Sequence, residues 1–165
     1  MKTKETLTIV RELKAPKELV FKAFSESAAL AEWWGPKEMP ITVVKLDFRP
    51  NGIFHYKMAA GDNVMWGLFV YGQINKPDQI EFTTSFSDET GKICRAPFAP
   101  NWPLEVFNQL SLTEKNGITT LTLSGYPVNA TEEEEKMFFS FTANMQQGFE
   151  GTFSQLDVYL EKIQK

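Results

Sequence analysis

Cysteine occurs once in the 165 residues, at Cys94, so no disulfide can form within the chain. Histidine also occurs once, at His55. A lone histidine supplies neither a metal cluster nor a nucleophile-base pair, and no metal spacing, phosphate-cradling glycine loop or nucleophile elbow accompanies it. No apolar run approaches the roughly 18 to 20 residues of a membrane span, and Met1 to Arg11 mixes charged, hydroxylated and aliphatic residues without forming a leader. Positive charge is scarce, with 17 Lys and Arg against 21 Asp and Glu and a net charge of -4. That balance argues against the basic face that replaces phosphate counterions on a nucleic acid. The expectation is a cytoplasmic protein, a monomer or homodimer, with no cofactor or metal and no defensible catalytic chemistry.

What the chain has is apolar surface, 42% of its residues, and 14 phenylalanines. Its length suits one domain over residues 1–165 built on one core. Leu7, Ile9 and Leu13 alternate as a half-buried strand does over Thr6 to Leu13. Pro16 then opens a short helix carrying Leu19, Val20, Phe21, Ala23 and Phe24, and Ala28 to Trp34 gives a second, stopped by Gly35-Pro36. Val44, Leu46 and Phe48 alternate with charged residues, as do Phe54, Tyr56 and Met58 with His55 and Lys57, and Pro50-Asn51-Gly52 between them marks a hairpin. By that parity His55 faces water. Val64 to Ile74 is apolar on both faces, which leaves its inward side unassigned. Ile80, Phe82 and Phe86, then Val106, Leu110 and Leu112, then Leu121 and Leu123 complete a meander of seven strands.

Residues 131 to 163 read as one amphipathic helix, roughly 50 Å long at about 1.5 Å per residue. Thr131 and Glu134 form a capping-box pattern at its start, and Glu132, Glu133 and Glu135 suit the positive end of the helix dipole. Met137, Phe138, Phe141, Met145, Phe149, Phe153, Leu156 and Leu160 share one face. A rod of that length must lie along something that wraps it, and a curved sheet with one apolar face supplies it. The fold class is therefore α+β, a seven-stranded antiparallel sheet around a long C-terminal helix, with two short helices between the first two strands.

Particular residues then carry a resemblance. Val20-Phe21-Lys22-Ala23-Phe24, Leu30-Ala31-Glu32-Trp33-Trp34-Gly35-Pro36, Asp47-Phe48-Arg49-Pro50-Asn51-Gly52, Gly67 and Phe149-Glu150-Gly151 with Leu156, Asp157 and Leu160 together resemble the activator of heat-shock protein 90 ATPase-like family. That family lies within the START-like (SRPBCC) helix-grip superfamily. The resemblance spans nearly the whole chain and implies a helix-grip fold with an apolar pocket between sheet and helix. It also implies a small hydrophobic ligand, or a chaperone partner whose ATPase is stimulated. Asn51 stands where the family usually has the first of two glycines, and Phe149 where it usually has tryptophan. The 87–104 connection is longer than the family leads one to expect.

Met58, Phe69, Tyr71, Phe82, Asn108, Met145, Phe149 and Phe153 are candidate pocket walls. Trp33, Arg95, Phe98 and Trp102 are candidates for the mouth, with one of the Trp33-Trp34 pair plugging the barrel end. Asn108 shares parity with Val106 and Leu110 and so points inward, to read a ligand or to bond backbone. Gly148 and Gly151 each cost a helix roughly 1 kcal/mol against alanine, and they make room for a ligand or a sheet residue, or merely permit a bend. Pro97, Pro100 and Pro103 stiffen the 87–104 connection into a semi-rigid lid or a decorated hairpin. A polyketide cyclase- or aromatase-like enzyme is the alternative, with Tyr71 or Asn108 polarising a carbonyl.

Overall fold

Leu7, Ile9 and Leu13 are buried along one side of the first strand while Thr8 and Val10 face out, the alternation that fixes which face of a sheet meets the core. A computed structural model describes residues 6–35, 38–96 and 99–164. Its elements run β1 (Leu7–Leu13), α1 (Lys17–Ser25), α2 (Ser27–Trp33), β2 (Ile41–Leu46), β3 (Ile53–Ala60), β4 (Asn63–Asn75) and β5 (Gln79–Ser87). There follow β6 (Ile93–Cys94), β7 (Glu105–Lys115), β8 (Ile118–Val128), α3 (Glu132–Ser140) and α4 (Thr142–Ile163). The sheet is antiparallel in the order β1-β8-β7-β5-β4-β3-β2, and the short β6 pairs with the end of β5 as an eighth strand. It curves around α4, which buries Phe153, Leu156 and Leu160 against it, the α+β helix-grip arrangement.

The C-terminal helix is not one rod. It breaks at Phe141 (φ -98°, ψ 16°), where the Ser140 and Thr142 hydroxyls take the carbonyls of Met137 and Phe139 at 2.7 and 2.8 Å. Such local hydroxyl bonds compete with the helical ladder. The 22 residues of α4 span about 33 Å rather than 50. The capping box forms as its residues imply, with Thr131 Oγ1 accepting from the Glu134 amide at 3.1 Å and Glu134 Oε1 from the Thr131 amide at 2.9 Å.

Two parity expectations are corrected. A register shift between Val43 and Lys45 turns Val44 outward, 51% exposed, because one extra residue in a strand reverses the sides that follow. His55 does lie on the outer face of β3, opposite Phe54 and Tyr56, yet it is buried. The Asp88–Lys92 turn covers it, with Nε2 donating to the Asp88 carbonyl at 3.2 Å, and its ring stacks on Trp66 at 5.5 Å. The side of β4 left open by sequence is settled by pairing with β3. Gly67, Phe69 and Tyr71 face the helix, while Val64 and Val70 are exposed on the other side.

The Asp47-to-Gly52 segment is a structural turn. Asp47 grips Arg49 Nε at 2.8 and 2.9 Å, Asn51 adopts φ 69°, and a Cβ on Gly52 would lie 2.0 Å from the Asp47 carbonyl oxygen. Position 51 therefore needs a residue that tolerates the left-handed region, as asparagine does.

Candidate functional site

Between the inner face of the sheet and α4 lies a partly open cavity of about 240 Å³, beside the buried hydrophobic core. The sheet contributes Met58, Phe69, Phe82 and Asn108, and α4 contributes Met145 and Phe149. Trp102 closes it from the 87–104 connection, its ring against Phe138 at 5.6 Å and Phe141 at 5.8 Å. Of the other expected wall and mouth residues, Tyr71, Phe153, Trp33 and Arg95 sit elsewhere. Tyr71 is buried against Phe48 at 5.0 Å, and Phe153 is 1% exposed in the solid core. Trp33 is the plug of the pair, fully buried, with Nε1 donating to the Ala23 carbonyl at 3.0 Å. Phe98 and Pro97 lie outside the described residues.

Trp34, which follows the last residue of α2, takes the lining position instead. Its ring meets Phe69 at 5.2 Å, Tyr56 at 6.4 Å and Phe149 at 6.5 Å. Tyr56 also lines the cavity, on the parity of Phe54 and Met58, and Phe138 does so from α3. The signal for Tyr56 was present in strand alternation. No pattern distinguished Trp34 from Trp33, because the chain leaves the helical conformation between them (Trp34 ψ 143°) and only that turn decides which indole points where.

Arg95 does not line the cavity. Its guanidinium pairs with the Glu134 carboxylate and donates to the Trp102 carbonyl at 3.2 Å, which ties the connection carrying Trp102 to the start of α3. Two backbone anchors support this: β6 pairs with β5, and Asp88 Oδ1 accepts from the Thr90 amide and hydroxyl and the Lys92 amide at 2.6 to 3.0 Å. The connection thus begins as a hairpin and ends as a wall of the cavity.

Among the described residues no Asp, Glu, Lys, Arg or His lines the site. Burial pushes the Tyr56 hydroxyl above the usual phenol value, against an opposing hydrogen bond with the Trp34 side chain. Burial likewise raises Tyr71. The Glu134 carboxyl is held below its ordinary value, first by the Thr131 amide and then by Arg95.

Asn108 is a buried polar side chain on the cavity wall, 7% exposed, as is Tyr56 at 8%. Its Nδ2 donates to the Val106 carbonyl at 3.0 Å and to Thr84 Oγ1 at 3.3 Å, so both amide hydrogens are used. Carbonyl polarisation of the kind a cyclase needs would therefore find no free donor on Asn108, and Tyr71 is outside the cavity.

Gly148 and Gly151 do not face this space. A Cβ on either would meet nothing within 4 Å, and both border a larger depression of about 990 Å³ on the outer side of α4. Glu32, Asn144, Gln147 and Lys162 rim that depression beside Val158 and Tyr159, and it is a shallow groove open along the helix surface, whereas ligand sites are concave and bury most of the ligand.

The model of the family described as Activator of Hsp90 ATPase homolog 1-like protein matches residues 14–161. Among solved structures, protein Ms6760 from Mycobacterium smegmatis is similar at 26% identity and a TM-score of 0.77, over 94% of this chain and 90% of that one. A Staphylococcus epidermidis protein shares the fold at 21% identity and a TM-score of 0.78, over 98% of this chain and 93% of that one. DynU16, from the dynemicin biosynthetic locus, shares it at 18% identity and a TM-score of 0.65, over 96% of this chain and 48% of that one. No curated protein matches the chain.

Proposed function

The chain belongs to the Activator of Hsp90 ATPase homolog 1-like protein family, and from that premise we propose that it is a single binding domain for a small apolar or amphipathic molecule, held between the sheet and α4. The observation that carries this reading is the open space itself. Protein interiors pack to crystal-like density with few voids larger than a water, so about 240 Å³ left among aromatic rings and two methionines is an exception that a ligand accounts for. Phe149 presents a smaller ring than the tryptophan that the resemblance leads one to expect there, which leaves more of that space open. Methionine adapts to irregular partners, which suits Met58 and Met145 to a guest that is not part of the chain.

The reading places the protein in the cytoplasm, as a monomer or homodimer, and no helix among the described residues is long and apolar enough to cross a membrane. Native mass spectrometry of freshly purified protein tests it. A retained apolar adduct should be present and should disappear on Phe149→Glu, since a carboxylate among apolar walls is costly and repels an apolar guest. An adduct undiminished by that substitution would remove α4 as a wall. The family description keeps a second reading, a co-chaperone that stimulates an ATPase. Stimulated ATP hydrolysis at saturating protein is its test, and no change in rate would end it.

A further inference from the structure

The cavity's size, shape and polarity narrow the ligand. An engineered cavity of about 150 Å³ takes up benzene, whereas sites for drug-sized molecules begin near 300 Å³. A volume of about 240 Å³ falls between them, room for one or two fused rings. On the sheet side the Phe69 and Phe82 rings lie parallel, 4.5 Å apart at 9°, and Phe149 from α4 adds a third ring to the lining. Aromatic faces favour flat or edge-on aromatic guests. Among the described residues the lining has no charged side chain, and Arg95 is engaged by Glu134 away from it, so a carboxylate or ammonium entering the cavity would find no charged partner among them.

One polar requirement remains unmet. With both hydrogens of Nδ2 engaged, Asn108 Oδ1 accepts no hydrogen bond among the described residues. No fully buried side-chain polar atom lacks a partner among those residues, so Oδ1 keeps accessible surface, on a side chain that lines the cavity. The amide cannot be turned around, because the Val106 carbonyl demands a donor where Nδ2 stands. Gly125, opposite Asn108 in the β7–β8 pairing, completes the arrangement: a Cβ there would lie 2.7 Å from Oδ1.

Resting on the cavity reading above, we infer that the ligand is a compact, uncharged aromatic molecule of one or two rings bearing an N–H or O–H donor, accepted by Asn108 Oδ1. Titration calorimetry with naphthalene, 2-naphthol, 2-methoxynaphthalene and 2-naphthoate tests it. 2-Naphthol should bind about tenfold tighter than naphthalene and the methyl ether, the worth of one otherwise unmet hydrogen bond, and 2-naphthoate weakest of all. Asn108→Leu should retain naphthalene and level naphthol with its ether. Where that variant fails to fold, Gly125→Ala, which crowds Oδ1 from β8, should shrink the same preference. Equal binding of naphthol and its ether by the parent protein overturns the donor assignment and leaves the cavity reading standing. Naphthoate binding as tightly as naphthol overturns neutrality. Failure of naphthalene and naphthol alike counts against the cavity reading itself and carries this inference down with it.

Discussion

Alanine at position 67 should destabilise the protein by about 1–3 kcal/mol, the usual cost of forcing extra volume into a packed core. Gly67 sits directly opposite Tyr56 in the β3–β4 ladder, and the tyrosine ring folds across it. A Cβ there would lie 2.3 Å from Tyr56 Cζ and 2.5 Å from its hydroxyl oxygen, closer than carbon atoms approach without something moving. The ring has little freedom to retreat. It stacks on Phe54 at 4.7 Å and meets Phe69 at 5.9 Å and Trp34 at 6.4 Å, leaving the cavity as its exit. Displacement into that space trades stability for lost binding volume, so probe uptake should fall as well. Urea unfolding followed by tryptophan fluorescence reads the stability change as a lower midpoint at unchanged slope. In a chain of 165 residues each kcal/mol moves the thermal midpoint by about 2–4 °C. Adding Tyr56→Leu removes the colliding atoms, so the double variant should lose less than the sum of the two single losses. A Gly67→Ala protein within about 0.5 kcal/mol of the parent, or strictly additive losses in the double variant, would refute the close approach.

Gly148→Ala and Gly151→Ala should each stabilise by up to about 1 kcal/mol, because each sits in an exposed turn of α4 with open space beyond, and probe affinity should stay unchanged; weakened binding in either variant would mean that these positions face the ligand after all. The folded-state Glu134 value lies below its ordinary 4.5, so its contribution is fully present above that pH and is lost as pH falls through the depressed value. Urea midpoints should therefore fall with acidification below about 4.5, and Glu134→Gln should flatten that dependence; parallel pH profiles for the two proteins would show that the carboxylate does not act this way.

Period and turn chemistry made much of this molecule readable in advance. Alternation located the seven long strands, Thr131 and Glu134 marked a helix start that forms as a capping box, and Pro50-Asn51-Gly52 marked a turn whose positive φ at Asn51 explains the residue found there. Alternation also brought Met58, Phe82 and Asn108 to one side of the sheet, where they border a single cavity with Phe69, whose side only the pairing of β4 with β3 settled. The failures share a cause, since each depended on a contact between segments distant in sequence or on a local break in periodicity. His55 had the parity of an exposed residue until the Asp88 turn folded over it. Val44 lost its side to a one-residue shift, and Phe141 interrupted a helix whose apolar stripe gives no sign of the break. Gly67 belonged to the family-like pattern without a reason, which the Tyr56 ring supplies.

Composition and hydrophobic period alone determined that this chain builds a curved sheet around a C-terminal helix, because side-chain direction in strands and helices follows from backbone geometry at each residue. Tertiary structure alone decided which indole is core and which is wall, where Arg95 spends its charge, and how much space is left between sheet and helix. Those outcomes depend on how surfaces from separate segments meet, and an unfilled volume is a property of the meeting that no single segment encodes.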